Sequence, residues 1–331
     1  MRVWICLLLI SMLAARARGE MPLEKEVAPT RTIPLPRIEG RIDHMALDVA
    51  NGRMLMAAQG SNSIMVVDLK LGKASKIIAG VRKPQGIAVS PELDRFVVTS
   101  ETNGSCRLFE SQALKSLGEA GLQNDADNVR YEASTRRFWI GYGRGGIISL
   151  NPENGDKGTD IKLDGHPESF QLESNGKRIF VNVPMAGHIA VVDREKAAVL
   201  SRWKPDGVGG FFPMALDEAH HRLFIGCRKP AMLAILDTET GKTIASNECV
   251  PECDDLFYDE TAKQIYISGE GYISVFRVKG PDQYELTANI PTAEGARTSL
   301  FDPETGLLYV AVPHRDQQKA ELRVYELREK S

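Results

Sequence analysis

Residues 83–100 read Lys-Pro-Gln-Gly-Ile-Ala-Val-Ser-Pro-Glu-Leu-Asp-Arg-Phe-Val-Val-Thr-Ser. A short apolar strand ends on a small polar residue, Ser90, and Pro91 to Asp94 turn the chain. Arg95 follows five positions after Ser90, and a second strand rich in β-branched and aromatic residues starts at Phe96. The same unit recurs along the chain. Its anchors are Asp48, Ser90, Glu132, Glu173, Asp217, Asp259 and Asp302, spaced 42, 42, 41, 44, 42 and 43 residues apart. Five positions on stand Arg53, Arg95, Arg137, Arg178, Arg222, Gln264 and Leu307. Strands then start at Met54, Phe96, Phe138, Ile179, Leu223, Ile265 and Leu308. Seven copies at this period specify a propeller or a solenoid.

Each copy holds four strand-like runs. In the first they are His44–Leu47, Met54–Ala58, Ser63–Leu69 and Ser75–Ala79, parted by Asn-Gly, Gly-Ser-Asn and Leu-Gly-Lys turns. That is the pattern of a four-stranded blade. The expected fold is therefore all-β, a seven-bladed β-propeller of four-stranded antiparallel blades. The nearest helix candidate, Gln112–Ala120, falls between the third and fourth strands of blade two and reads as an irregular connection. The seventh copy supplies only Thr298–Phe301, Leu307–Val312 and Leu322–Leu327. Arg31–Pro36 precedes the first copy and is left over. It is predicted to be the outer strand of blade seven, tying the two ends of the chain together, where Pro34 and Pro36 do no harm at an edge.

The chain has 331 residues, 43% hydrophobic, enough for a large buried core. Arg2, the apolar run Val3–Leu13 and the small residues Ala14, Ala15 and Ala17 read as a cleaved signal peptide over residues 1–19. Residues 20–29 read as a flexible leader and 30–331 as a single propeller domain, in the periplasm or secreted. Cleavage after Gly19 leaves 38 basic against 44 acidic groups, a net charge of -6. That balance argues against a nucleic-acid partner, and no apolar run after the signal is long enough to span a membrane. A monomer is expected. The mature chain keeps Cys106, Cys227, Cys249 and Cys253. A disulfide is expected among Cys227, Cys249 and Cys253, and Cys106 is expected unpaired. No Cys-x-x-Cys-His is present, so no covalent haem is expected.

Several runs carry a family resemblance: Ser63–Asp68, Lys83–Ser90, Gly187–Asp193, Leu233–Asp237, Asp254–Asp259 and Leu308–Val312. With the blurred strands Phe96–Ser100 and Phe180–Val183, the chain from about residue 30 to 328 resembles the YVTN-type propellers, and in particular the YncE-like exported bacterial group. The resemblance implies the fold and export. It implies no one activity, because function resides in sites and not in folds.

In such a blade the positions four and five before each anchor open the innermost strand and ring the mouth of the central channel. Here they include Asp43, His44, Gln85, Asp127, Asn128, Glu168, Asp254, Asp255 and Arg297, with His166 just upstream. Arg228 and His314 join them from the loops between second and third strands. A polar ring above an apolar interior suits a small ligand, though solvated polar groups line the channel of any propeller. The rim cations suit either an anionic ligand or ordinary pairing with the acidic ring. Glu168, Asp127 and Asp254 are candidate ligands for a divalent metal, Ca²⁺ or Mg²⁺, with the histidines tilting the choice toward a transition metal. Three functions follow. The first is a binding or scaffold propeller engaging a small ligand or an envelope protein. The second is a metal-dependent, lactonase-like hydrolase. The third is an accessory subunit of a redox enzyme. No serine-hydrolase, phosphate-loop or zincin motif is present.

Overall fold

The computed structural model describes residues 21–122 and 125–328. The expected signal peptide lies outside them. The strands form seven four-stranded antiparallel sheets; six are hydrogen-bonded in chain order from the innermost strand outward, and the seventh takes its outermost strand from the start of the chain. The innermost strands of blades one to seven are Met45–Asp48, Pro84–Ser90, Ala126–Glu132, Phe170–Leu172, Gly209–Asp217, Asp255–Asp259 and Thr298–Asp302. The all-β, seven-bladed reading is correct. The ring closes as predicted: Arg31–Pro34 pairs antiparallel with Glu321–Glu326, setting Ile33 opposite Leu322.

One segment differs from the sequence reading. The Gln112–Ala120 region holds a tight turn and then Lys115–Gly121, the outer strand of blade two. Its exposed, mixed side chains hide a strand because an outer strand buries so little. The segment expected to be a loose leader lies along blade six. Asn289 of that blade exchanges backbone hydrogen bonds with Leu23 and Lys25, and its side-chain amide donates to Pro22 O at 2.6 Å. Asn289 is fully buried, so its amide requires such a partner.

The period-two alternation of a strand sends successive side chains to opposite faces. Each face of an inner blade meets another blade, so its strands are apolar throughout. In blade one, Leu55 and Val66 pack toward blade two, while Met54, Met56, Met65 and Val67 pack toward blade seven. Seven apolar clusters result among the described residues, one in each joint between blades.

The anchors and arginines of the repeat explain themselves at the end of the channel away from the mouth. Each of the seven joints there carries a polar stitch from one blade to the next. Ser111 Oγ donates to Asp48 at 2.7 Å, joining blades two and one. Arg194 binds Glu132 at 2.7 Å, joining four and three. Arg178 donates to Thr238 O at 2.7 Å, joining four and five. Arg222 reaches Asp282 at 2.8 Å, joining five and six. Arg328 reaches Asp259 at 2.6 Å, joining seven and six, and Arg31 donates to Leu69 O at 2.9 Å where the ring closes. The joint between blades two and three uses Tyr131 and Glu92.

Candidate functional site

At the mouth the charged side chains largely answer one another. Only a gap of about 30 Å³ remains among Arg41, Asp43, His44, Asp127, Asn128, Glu168, Ser169, Phe212, Asp254, Asp255 and Thr298. That is room for one or two water-sized occupants. Asp254 is held by Arg297 at 3.0 Å, by Arg228, and by Arg41 at 3.9 Å. The Arg228 guanidinium lies 3.5 Å over the Phe212 ring. Asp254 is thus engaged by cations and does not join Asp127 and Glu168. Those two carboxylates meet His166 instead, with one ligand-type atom from each lying within 4.8 Å of the others. His44 Nε2 stands 3.3 Å from Asp127 Oδ1 and 3.9 Å from Asp43 Oδ1. Asp43 also accepts from Arg41 and from Gln59, each at 3.2 Å.

The remaining predicted residues divide. Gln85 is buried beside Asp125. Asp255 accepts from the Ser299 N–H at 2.7 Å. His314 lies out on the rim and pairs with Glu39 at 2.9 Å, lining neither the mouth gap nor the channel. Arg228, Arg297 and His314 therefore pair with carboxylates, the blander of the two readings for the rim cations. The disulfide expected among Cys227, Cys249 and Cys253 is not formed. All are buried free thiols, as is Cys106. They pack in or beside the joint between blades five and six, the Cys253 thiol 3.7 Å from Cys227 O. Burial pushes the Cys227 thiol up to about 12, so it behaves as a small hydrophobe.

Desolvation dominates the electrostatics of the mouth. Burial raises Asp43 and Glu168 to about 7 and Asp255 to about 6, against partial relief from His44 in the cases of Asp43 and Asp255. Burial alone would lower the His44 imidazole, but Asp127 and Asp43 outweigh it and hold it up at about 9. Acids raised in the folded state bind more protons folded than unfolded, so their contribution falls as pH rises from about 4 to about 7. A raised histidine stabilises fully below its unfolded value, 6.5, and loses that contribution as pH climbs through about 9. Both act in one direction. Thermal unfolding in the presence of a chelator should show Tm falling steadily from about pH 5 to about pH 9. A profile that rises across this range would contradict the assignment.

Below the mouth the channel widens into a cavity of about 390 Å³, within the range of small-molecule sites. Its wall runs from His44, Asn128 and Asp255 near the mouth, past Met45, Ile87, Val129, Met214 and Leu256, to Tyr258, Phe301 and Pro303 at the far ends of the inner strands. Arg130 also lines it. Its guanidinium binds Asn128 Oδ1 and Val129 O and sits 5.7 Å from the Phe170 ring. Among the described residues no carboxylate forms an ion pair with it. Burial lowers its pKa, with only partial compensation from Asp255 and Asp127.

The sequence reading did not single out Arg130, Arg41 or Asp125. Arg130 had a signal. The residues two before each anchor are Ala46, Ala88, Arg130, Gln171, Ala215, Phe257 and Leu300. A charge and an amide on neighbouring blades, in a register otherwise apolar, mark a place where the channel wall departs from plain packing.

No family model matches the chain. Over 155 residues it is 26% identical to the uncharacterized protein YncE of Salmonella typhi. The chain is a seven-bladed β-propeller, and part of it is similar in sequence to YncE. The match spans 45% of this chain and less than half, 42%, of that relative. Among solved structures, the chain resembles Kuenenia stuttgartiensis hydrazine synthase at 14% identity and a TM-score of 0.75, covering 84% of this chain and 94% of that one. It resembles the RRP9 WD40 repeats at 11% and 0.78, covering 91% and 99%. It also resembles a chain of the mitotic checkpoint complex at 13% and 0.77, covering 98% and 100%. At these identities the likeness is one of fold, and no chemistry transfers with it.

Proposed function

We propose that this YncE-like propeller is an exported binding protein whose central channel takes a small organic anion, an apolar body ending in a carboxylate, with Arg130 as the counter-charge. The observation that supports this reading is a guanidinium lining a roomy, mostly apolar cavity with no carboxylate paired to it. A half-buried guanidinium with no carboxylate paired to it carries a desolvation cost that folding alone gives no reason to keep. Arginine also matches carboxylate geometry through two parallel hydrogen bonds. The apolar wall residues Met45, Ile87, Val129, Met214 and Leu256 would hold the hydrocarbon part.

The test is titration of the purified protein with octanoate and 3-phenylpropanoate, with 1-octanol as the uncharged control. Binding of the anions should exceed that of the alcohol. Arg130→Met should weaken it about 10- to 100-fold, the value of a hydrogen bond to a charged group. The same substitution should not lower the unfolding free energy of the empty protein by more than about 1 kcal/mol, because the lost hydrogen bonds to Asn128 and Val129 are offset by removal of a half-buried charge with no carboxylate paired to it. Equal binding of octanoate and octanol, or an Arg130→Met variant that is both less stable and unchanged in binding, would reject the reading.

A further inference from the structure

The corner formed by Asp127, His166 and Glu168 is distinct from the channel cavity and carries its own chemistry. Asp127 opens blade three, and His166 and Glu168 lie on the connection into blade four. One ligand-type atom from each lies within 4.8 Å of the other two, a span that one ion bridges with small side-chain rotations. Nδ1 of His166 is 2.6 Å from the Gly143 carbonyl. That contact fixes the proton on Nδ1 and leaves the Nε2 lone pair available, the arrangement that orients a metal-ligating imidazole.

A second observation is independent of the clustering. Polar atoms packed at this corner lack partners. Gln85 is only 6% exposed, and its Oε1 is out of solvent with no hydrogen bond. Asp127 Oδ1 has the His44 imidazole, 3.3 Å away, as its neighbour. Among the described residues, no hydrogen bond or ion pair reaches the Glu168 carboxylate. Gln85 belongs to this corner: its side chain meets Asp125, whose carboxylate is 3.6 Å from His166 Nδ1. Gly86, next to it, abuts the Asp127 carbonyl. A buried acceptor without a donor, as Gln85 Oε1 is, is rare and destabilising. A cation at this corner would also neutralise the Asp127 and Glu168 carboxylates.

We propose that Asp127, His166 and Glu168 hold one divalent transition-metal ion. Two carboxylates with an imidazole suit Zn²⁺ or Mn²⁺ better than the all-oxygen preference of Ca²⁺. The Asp127–Glu168 pair is the part of the sequence reading that survives in this site, with His166 in the place given to Asp254.

The test uses the full chain, stripped with a chelator and titrated calorimetrically with Zn²⁺. One equivalent should bind, more tightly than Ca²⁺. His166→Ala should weaken Zn²⁺ more than about 100-fold, since loss of an outer-sphere partner alone costs 10–100-fold. His314→Ala, on the rim, should leave it unchanged. A second measurement needs no variant: Mn²⁺ titrated into the wild-type protein should broaden the His166 ring signals before those of His188, His220, His221 and His314. Failure to bind one equivalent of Zn²⁺, binding unchanged in a folded His166→Ala, Ca²⁺ binding as tight as Zn²⁺, or broadening centred on another of those four histidines would overturn the proposal. Octanoate binding in the channel is read separately, so either proposal can fail alone.

Discussion

Replacing Arg194 with methionine is expected to destabilise the protein by about 3–5 kcal/mol, the cost of breaking a buried ion pair from one side. Arg194 and Glu132 are both nearly buried, their side chains 9% and 7% exposed, and they join blades four and three at 2.7 Å. Arg194 also donates to the carbonyls of Glu173, Gly176 and Arg178. Those acceptors and the Glu132 carboxylate would lose a donor together. Trp139 and Thr135 still donate to Glu132, which keeps the loss finite. The Glu132→Gln variant should be milder, because it retains a hydrogen-bonding side chain without the charge. In the double variant, Arg194→Met should cost less than it does alone, by about 1–3 kcal/mol. Lys177→Ala breaks an exposed pair with Glu195 and serves as the control, at under about 1 kcal/mol. Urea unfolding of the four variants measures all of this. Equal small losses for Arg194→Met and Lys177→Ala would mean that the stitches between blades do not hold the ring.

Gly86→Ala is the second substitution with a large expected effect, and it couples the fold to the mouth. A Cβ at Gly86 would lie 1.8 Å from the Asp127 carbonyl oxygen, 2.7 Å from Val129 Cγ2 and 2.8 Å from Thr99 Oγ1. Each belongs to the backbone or to a short, packed side chain, so none can swing away. The glycine also sits in a relay: its N–H donates to Thr99 Oγ1 at 2.9 Å, and Thr99 donates to Asp127 O at 2.8 Å. Blade three must shift away from blade two, at a cost of about 3 kcal/mol. The shift moves Asp127 away from His44. The His44 titration, followed by NMR, should then fall from about 9 toward its ordinary 6.5. A Gly86→Ala protein with wild-type stability and an unmoved His44 would contradict the close approach.

The fold was legible in the sequence because a propeller repeats its instructions. The anchor and the arginine five residues on are spaced by blade size, and the leftover Arg31–Pro34 could go only where blade seven lacked a strand. The outer strand Lys115–Gly121 was not legible, since a strand that buries little needs no apolar pattern. The contact of Pro22 with Asn289 was not legible either, because the two lie far apart along the chain. At the mouth, the ring membership of Asp43, His44, Asp127, Asn128, Glu168, Asp254 and Asp255 could be read from register alone. Their partners could not. Asp254 looked like a metal ligand until Arg41, Arg228 and Arg297 converged on it from three different places in the chain. The cysteines showed the same limit. Spacing brought Cys227, Cys249 and Cys253 toward one joint, but pairing depends on sulfur geometry that spacing does not encode.

If the channel, with Arg130 in its wall, is a ligand site, octanoate must reach the methionines that line it. The most direct measurement is NMR of methyl-labelled methionine during an octanoate titration. Met45 and Met214 line the cavity, whereas Met185 is exposed on the loop Pro184–Ala186. The Met45 and Met214 methyls should shift together and saturate while Met185 stays fixed, and both shifts should disappear at the same octanoate concentrations in Arg130→Met. Shifts confined to Met185, or Met45 and Met214 shifts that persist unchanged in Arg130→Met, would contradict a ligand site in the channel.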